Sequence, residues 1–415
     1  MRFDTIIIGG GLSGLVCGLR LQKAGKKCAI VSAGQNAMHF FSGGFGLLSR
    51  LPDGKRVSRP LEAVAELPDN HPYSKIGKEK LAEYAEETVK LFGMCGIKVK
   101  GDAAENGFII SGSGSLKPAW LALDDAPFLK SKEENIGSSA LIVNIEGFLD
   151  MNTSFIADSF EKRGIKCRIV SVSTPELKAL RNNPSEMRSS NIAKLMADSA
   201  QRAAFMKEVN KCLKDEDLLV LPAVFGLKSD SDVEDIRSKS PVSVIFIGTL
   251  TPSVPGIRTQ MKLKRAFEEA GGVFLMGDNA VSASIEGDRA VSVTTENLGD
   301  IPLTADSFVL ATGSYFGHGL IAERDGITEP VCGLDVAYSA DRSEWYNPDF
   351  FKAQNYIGFG VTADEKFRAV KDGKVIGNLY VAGSLLGGFN PLYEGSGSGV
   401  AIMTAMSISD SISSR

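Results

Sequence analysis

A chain of 415 residues can bury two separate cores, and 43% hydrophobic with 23% charged residues is an ordinary globular balance. With 46 basic against 50 acidic side chains and a formal net charge of −4, no basic excess marks nucleic acid or anionic lipid as the main partner. The six cysteines (Cys17, Cys28, Cys95, Cys167, Cys212 and Cys332) stand singly without a Cys-x-x-Cys pair, which excludes an iron–sulfur or zinc centre of local spacing and reads as a reduced, intracellular pattern.

The first segment predicts strand, glycine turn, helix and strand. Phe3 to Ile8 is apolar and β-branched, Leu12 to Ala24 has helical periodicity, Gly25 ends that helix, and Cys28 to Val31 returns to strand. The run Thr5 to Ile8 is too short for a signal peptide or a membrane span, and no later stretch is long enough to cross a bilayer. A glycine-rich loop from Gly34 to Gly46 follows. Helices are expected from Pro60 to Leu67, Lys78 to Phe92, Met151 to Lys162 and, as one long element, Asn191 to Leu213. Strands are expected from Ala140 to Ile145, Cys167 to Val172, Leu218 to Leu221 and Val242 to Ile247. Beyond Gly256 come an amphipathic helix from Thr259 to Ala270 closed by Gly271 and Gly272, and a hairpin around Gly287. A buried strand from Phe308 to Leu310 and a strand from Leu379 to Val381 follow, then a helix from Val400.

Gly9-Gly10-Gly11-Leu12-Ser13-Gly14 fits G-x-G-x-x-G in a βαβ context. Gly9 permits the tight turn, Gly11 lets a diphosphate approach the backbone, and Gly14 lets helix and strand pack closely. The phosphate then meets free N–H groups at the positive end of the helix dipole. The acid that usually ends the second strand and binds the ribose hydroxyls is missing: Ser32 stands there, which leaves room for a shorter flavin such as FMN beside FAD. Two further segments bear on the same site. Ala311-Thr312-Gly313 ends a buried strand, and Gly383-Ser384 leads to Gly397-Ser398-Gly399 at the start of the last helix. Bare amides there suit the negative charge of a reduced flavin. Ser384 again replaces an expected acid. Ser42-Gly43-Gly44 lies in the loop after the second strand, where flavoproteins that this pattern resembles press backbone against the isoalloxazine ring.

The expected architecture is an α/β Rossmann-like FAD/NAD(P)-binding fold with an inserted second α/β or α+β domain. Residues 1–50 and 256–415 form the split flavin-binding domain, and 51–255 the inserted substrate or partner domain. His39 is a candidate proton donor or covalent flavin anchor, weighed against a surface or core histidine. Arg258, Arg188, Arg181 and Arg324 are candidate cations for an anionic substrate, weighed against solvated surface charge. His71 and His318 receive no role.

The order of the three glycine segments resembles the fumarate reductase and aspartate oxidase class of flavoproteins. His39-Phe40, Arg181-Asn182-Asn183, Asn191-Ile192-Ala193, Gly256-Ile257-Arg258, Gly333-Leu334-Asp335-Val336, Glu344-Trp345-Tyr346 and Leu386-Gly387-Gly388-Phe389 are similar to the B subunits of anaerobic glycerol-3-phosphate dehydrogenases over essentially the whole chain. The resemblance implies oxidation of sn-glycerol 3-phosphate to dihydroxyacetone phosphate, with electrons passed to the quinone pool in fumarate or nitrate respiration. It implies FMN on this chain, with FAD as the alternative, and no metal or iron–sulfur cluster. The implied partners are the catalytic flavoprotein (the A subunit) and the membrane-anchoring iron–sulfur protein (the C subunit) of the same dehydrogenase, with a cytoplasmic chain held peripherally at the inner membrane through them. Glu394 and His318 depart from the family pattern. An electron-relay or flavin-free scaffold role and a fumarate reductase-like flavoprotein are the competing readings, and nucleic acid is not an expected partner.

Overall fold

A computed structural model describes residues 1–34 and 36–414. The chain opens with β1 (Arg2–Ile8), α1 (Leu12–Lys23) and β2 (Cys28–Ser32), and a long helix α2 (Lys78–Met94) follows. The middle contributes β3 (Ser139–Ile145), α3 (Thr153–Glu161), β4 (Lys166–Val172), α4 (Ser199–Cys212), β5 (Leu218–Pro222) and β6 (Ser243–Ile247). After α5 (Val254–Glu269) come β7 (Val273–Met276), the hairpin β8 (Ala280–Glu286) and β9 (Arg289–Thr295), then β10 (Leu303–Leu310). The chain closes with β11 (Lys374–Val381), the short α6 (Pro391–Glu394) and α7 (Gly397–Ser413).

The main sheet runs β7-β2-β1-β10, with β11 parallel to the end of β10 and the β9–β8 hairpin antiparallel to its start. The five strands β7, β2, β1, β10 and β11 are parallel, and Val31, Ile8, Leu310 and Val381 stand in one row across it. The inner strands are near-continuous apolar runs, as in a sheet covered on both faces, with Ile6, Ile7, Ile30 and Val309 fully buried. Cys17 and Cys28 lie in this core, and burial pushes the Cys28 thiol up to about 12 and that of Cys17 higher still. These two are packing residues rather than reactive ones. Arg20 of α1 pairs with Glu87 of α2 and Asp410 of α7, each at 2.7 Å, joining three helices on one face.

A second sheet, β4-β3-β5-β6, is entirely parallel and packs α3 and α4 around its own apolar core, including Leu141, Val220, Phe205 and Phe246. The second body is therefore α/β. Core membership changes later than residue 50: Leu51, Leu81, Phe92 and Trp120 belong with the main sheet, whereas the second core runs from Ile110 to Ile247. We propose that the inserted domain is the body around this second core.

Several element limits differ from the sequence expectation: the strands ending at Leu310 and Val381 begin at Leu303 and Lys374, and three helix limits shift as well. The helix expected from Asn191 to Leu213 is two, Ser189–Leu195 and α4, because Asp198 caps a new start by accepting from the Ala200 N–H at 2.8 Å. The helix expected from Thr259 begins at Val254, with Ser253 as N-cap and Pro255 in the first turn, where its missing N–H is harmless. The last helix begins at Gly397 rather than Val400, so the final glycines are helical.

Candidate functional site

Four parallel strands deliver the chain to one crevice. The residues that follow the row of strand ends, Ser32, Gly9, Ala311 and Ala382, all line a single cavity of about 800 Å³. Ligands of open α/β sheets bind beyond the carboxyl ends of their strands, and this volume falls in the usual range of ligand sites.

The glycine turn has a distinct reason for each glycine. Gly9 has φ +119°, and a Cβ on it would lie 2.1 Å from the Ala311 carbonyl oxygen. A Cβ on Gly14 would lie 1.9 Å from the Gly9 oxygen, so this glycine sets how closely α1 approaches β1. Gly11, the N-cap of α1, is different: its φ is −82°, and a Cβ there would meet only Asn36, at 3.8 Å. Helix α1 has no side-chain cap and no acid in its first turn, and Leu12 and Ser13 line the cavity. That open cradle fits a phosphate, which the unfilled N–H groups and the helix dipole favour.

The cavity continues on both sides of the turn. On one side lie Ser42, Gly44, Ser384, Gly397 and Ser398. The loop before α7 is laced to the early glycines: the Gly46 N–H donates to Ser398 Oγ at 2.8 Å, and the Gly399 N–H to the Gly46 carbonyl at 2.8 Å. Helix α7 also begins without a side-chain cap. On the other side lie Ser32, Asn36, Asp278 and Asn279. Register places Met276 beside Ser32, so the chain leaving β7 brings Asp278, 3% exposed, to the position where the second strand lacks its own acid. The Gly277 and Asp278 N–H groups donate to the Ser32 carbonyl at 2.8 and 3.2 Å, and Asp278 Oδ1 accepts from the Asn297 N–H at 2.9 Å. Asn36 Nδ2 donates to the Gly10 carbonyl at 3.2 Å. Sequence reasoning missed Asp278 and Asn36. A Gly-Asp-Asn turn after an apolar run was visible, but not the strand beside it.

Of the expected site residues, Gly9, Gly11, Ser32, Ser42, Gly44, Thr312, Gly313, Ser384, Gly397 and Ser398 line the cavity together. Gly14, Gly43, Gly383 and Gly399 do not line it; their missing side chains let neighbouring groups pack closely behind it. A Cβ on Gly383 would lie 2.3 Å from Ser13 Oγ, and one on Gly399 would lie 2.2 Å from the Tyr73 hydroxyl. His39 does not line the cavity either. It is half-buried, and burial lowers its pKa while a hydrogen bond with Gln260 raises it.

None of the four arginines expected as cations for an anionic substrate lines the cavity, and Arg258 and Arg188 have carboxylate neighbours elsewhere. Buried Arg258 pairs with Asp125 and with Asp230 at 3.2 Å, and donates to the Gly226 carbonyl at 2.9 Å. It ties α5 to the second body rather than facing the cavity. Exposed Arg188 lies 3.4 Å from Asp150, away from the lining. Glu394 and His71, left without a role by the sequence, form a buried pair at 3.1 Å under the start of α7. The Tyr73 N–H donates to His71 Nδ1 at 3.0 Å, which assigns the ring proton to Nε2 and makes it the donor to Glu394. Glu394 also accepts from the Asn390 N–H and the Ser396 hydroxyl, both at 2.9 Å.

Residues 4–400 match the FAD binding domain family. The chain is 38% identical over 416 residues to the B subunit of the anaerobic glycerol-3-phosphate dehydrogenase of Yersinia enterocolitica, covering 99% of this chain and 98% of that one. It is 39% identical over 415 residues to the protein of the same name from Pectobacterium atrosepticum, covering 99% of each. Among solved structures, the 3-ketosteroid delta1-dehydrogenase of Sterolibacterium denitrificans is similar at 10% identity and a TM-score of 0.46, covering 100% of this chain and 99% of that chain. The glycine cradle, the row of strand ends and the full-length similarity converge: the chain belongs to the FAD binding domain family of flavoproteins and, within it, to the family of anaerobic glycerol-3-phosphate dehydrogenase B subunits.

Proposed function

We propose that this chain holds FAD across its glycine turn and acts as the B subunit of a dehydrogenase that oxidises sn-glycerol 3-phosphate to dihydroxyacetone phosphate, with electrons passed to the quinone pool. The observation that carries the cofactor reading is the continuity of the cavity on both sides of Gly9–Ser13. A mononucleotide would use the Ser398 side and the turn; a dinucleotide also uses the side where Asp278 stands beside Ser32. FMN, which the sequence resemblance implies, leaves that second side without a ligand group.

In this reading the amides of Leu12 and Ser13 bind the diphosphate, and Asp278 accepts from ribose hydroxyls. The start of α7, with Gly397 and Ser398, directs its dipole at the negative charge of the reduced ring. A flavin bound there supplies a two-electron acceptor for an alcohol. The chain works beside a catalytic flavoprotein and an iron–sulfur protein, the A and C partners of the same dehydrogenase. Among the described residues no helix is long and apolar enough to cross a membrane, so any membrane contact of these residues through a spanning helix belongs to a partner. His39, Arg188 and Arg258 do not line the cavity, so none of these three supplies a base or an anion site beside the flavin.

The test is to release the cofactor by denaturation and identify it by chromatography, then to add glycerol 3-phosphate anaerobically to the native protein. FAD is expected. FMN would overturn the dinucleotide reading, and a flavin-free protein, assembled with its partners, would overturn the flavoprotein reading. Bleaching by the chain alone assigns oxidation here; bleaching only when the catalytic partner is present assigns relay.

A further inference from the structure

A second cleft, of about 1,160 Å³, shares a wall with the flavin cavity: Leu392 of α6 lines both. Its described lining carries six cationic side chains, Arg50, Arg56, Lys117, Lys130, Lys132 and Lys352, against two acidic ones. The two arginines are held as a pair. The Leu51 N–H donates to the Lys55 carbonyl at 2.9 Å and the Val57 N–H to the Ser49 carbonyl at 3.0 Å, and Arg50 and Arg56 bridge antiparallel across the resulting hairpin. Residues directly opposite in such a pair share a face with Cβ atoms about 5 Å apart, where like charges oppose pairing. Among the described residues neither guanidinium has a carboxylate within ion-pair distance; Arg50 instead lies over the Tyr393 ring, 4.7 Å from its centroid.

The hairpin is fixed to the flavin wall. The N–H groups of Ser49 and Arg50 donate to the Glu394 carbonyl at 2.8 and 3.2 Å, and Glu394 is the buried carboxylate held by His71. A repulsive pair kept in place by rigid backbone, opening on a cation-lined cleft, is a site for a compact dianion, because two guanidinium groups match the oxygens of a phosphate monoester.

We propose that Arg50 and Arg56 bind the phosphate of a small phosphate monoester in this cleft, against the wall shared with the flavin cavity. The proposal rests on the dehydrogenase reading for its choice of ester, sn-glycerol 3-phosphate, and gives that reading the anion site that Arg258 and Arg188 do not provide.

The experiment is calorimetric titration of the purified, flavin-loaded chain with sn-glycerol 3-phosphate, with glycerol as the uncharged control and inorganic phosphate as competitor. The expected result is saturable, salt-sensitive binding of the ester, displaced by inorganic phosphate, and no binding of glycerol. Arg56→Gln, at an exposed position, should weaken binding at least tenfold, and Arg50→Gln with Arg56→Gln should abolish it, with flavin absorbance and Tm unchanged. Wild-type protein that does not bind the ester, or a double variant that binds it as tightly as wild type, overturns the proposal. Arginine-dependent binding to phosphatidylglycerol vesicles without binding of the ester also overturns it, in favour of a lipid surface. Flavin content is read on the same samples, so failure of the flavoprotein reading appears separately.

Discussion

Two glycines three residues apart should fail in opposite ways. Gly14→Ala puts a Cβ 1.9 Å from the Gly9 carbonyl oxygen and 3.3 Å from Ile7 Cγ2. Ordinary contact needs a little over 3 Å, so α1 must lift from β1 by more than 1 Å, against helices packed on its other side. Overpacking of this kind costs about 1–3 kcal/mol or more, and the better helix propensity of alanine returns only about 1 kcal/mol. With backbone as the obstacle the cost lies at the upper end of that range, and a net loss of about 2 kcal/mol is expected. In Gly11→Val the new Cβ meets only Asn36, at 3.8 Å or more, and φ −82° suits any residue. Loss of the glycine N-cap should cost about 1 kcal/mol of stability, while flavin affinity falls at least a hundredfold, about 2.7 kcal/mol. Urea unfolding of the apoprotein measures the first effect, and flavin fluorescence titration the second. A Gly11→Val protein that purifies with full flavin would refute the placement of the phosphate; a Gly14→Ala protein as stable as wild type would refute the packing argument.

Asp278→Asn keeps the acceptor for the Asn297 N–H but removes the charge, so FAD affinity should fall about tenfold, about 1.4 kcal/mol, with FMN affinity unchanged in the same fluorescence titration. Arg258→Ala leaves Asp125 without its guanidinium while Asp230 keeps Lys262 at 2.6 Å; urea unfolding should show a loss of about 3 kcal/mol, and ester binding in folded protein should be unaltered. His39 has a lowered pKa, mainly through burial, so below its ordinary value of 6.5 the unfolded chain takes up its proton first. Stability should therefore fall as pH drops through that window. His39→Gln should flatten the dependence in melts recorded across it, and an unchanged slope would contradict the assignment.

The glycine turn was legible because its constraints are local. A strand, a residue with positive φ and a helix start lie within fourteen residues, and chirality dictates glycine at Gly9 wherever the rest of the chain goes. The same holds for the strand ends at Leu310 and Val381, where apolar runs stop at small residues. Helix limits were less legible. Asp198 ends one periodic run and caps the next, and periodicity alone joins two helices whose apolar faces nearly align.

The sequence by itself determined that one crevice would be built from glycines and strand ends, because backbone conformation and hydrophobic period are properties of neighbouring residues. The tertiary structure decided which charged groups meet there. Asp278 reaches Ser32 only through the register of β7 on β2, and Arg258 is drawn to Asp125 beside the main core and to Asp230 on the second body. An arginine in a sequence carries the same charge whether it holds a substrate, a carboxylate or water. Its role depends on long-range packing that places or withholds a counter-charge, and no local pattern encodes that.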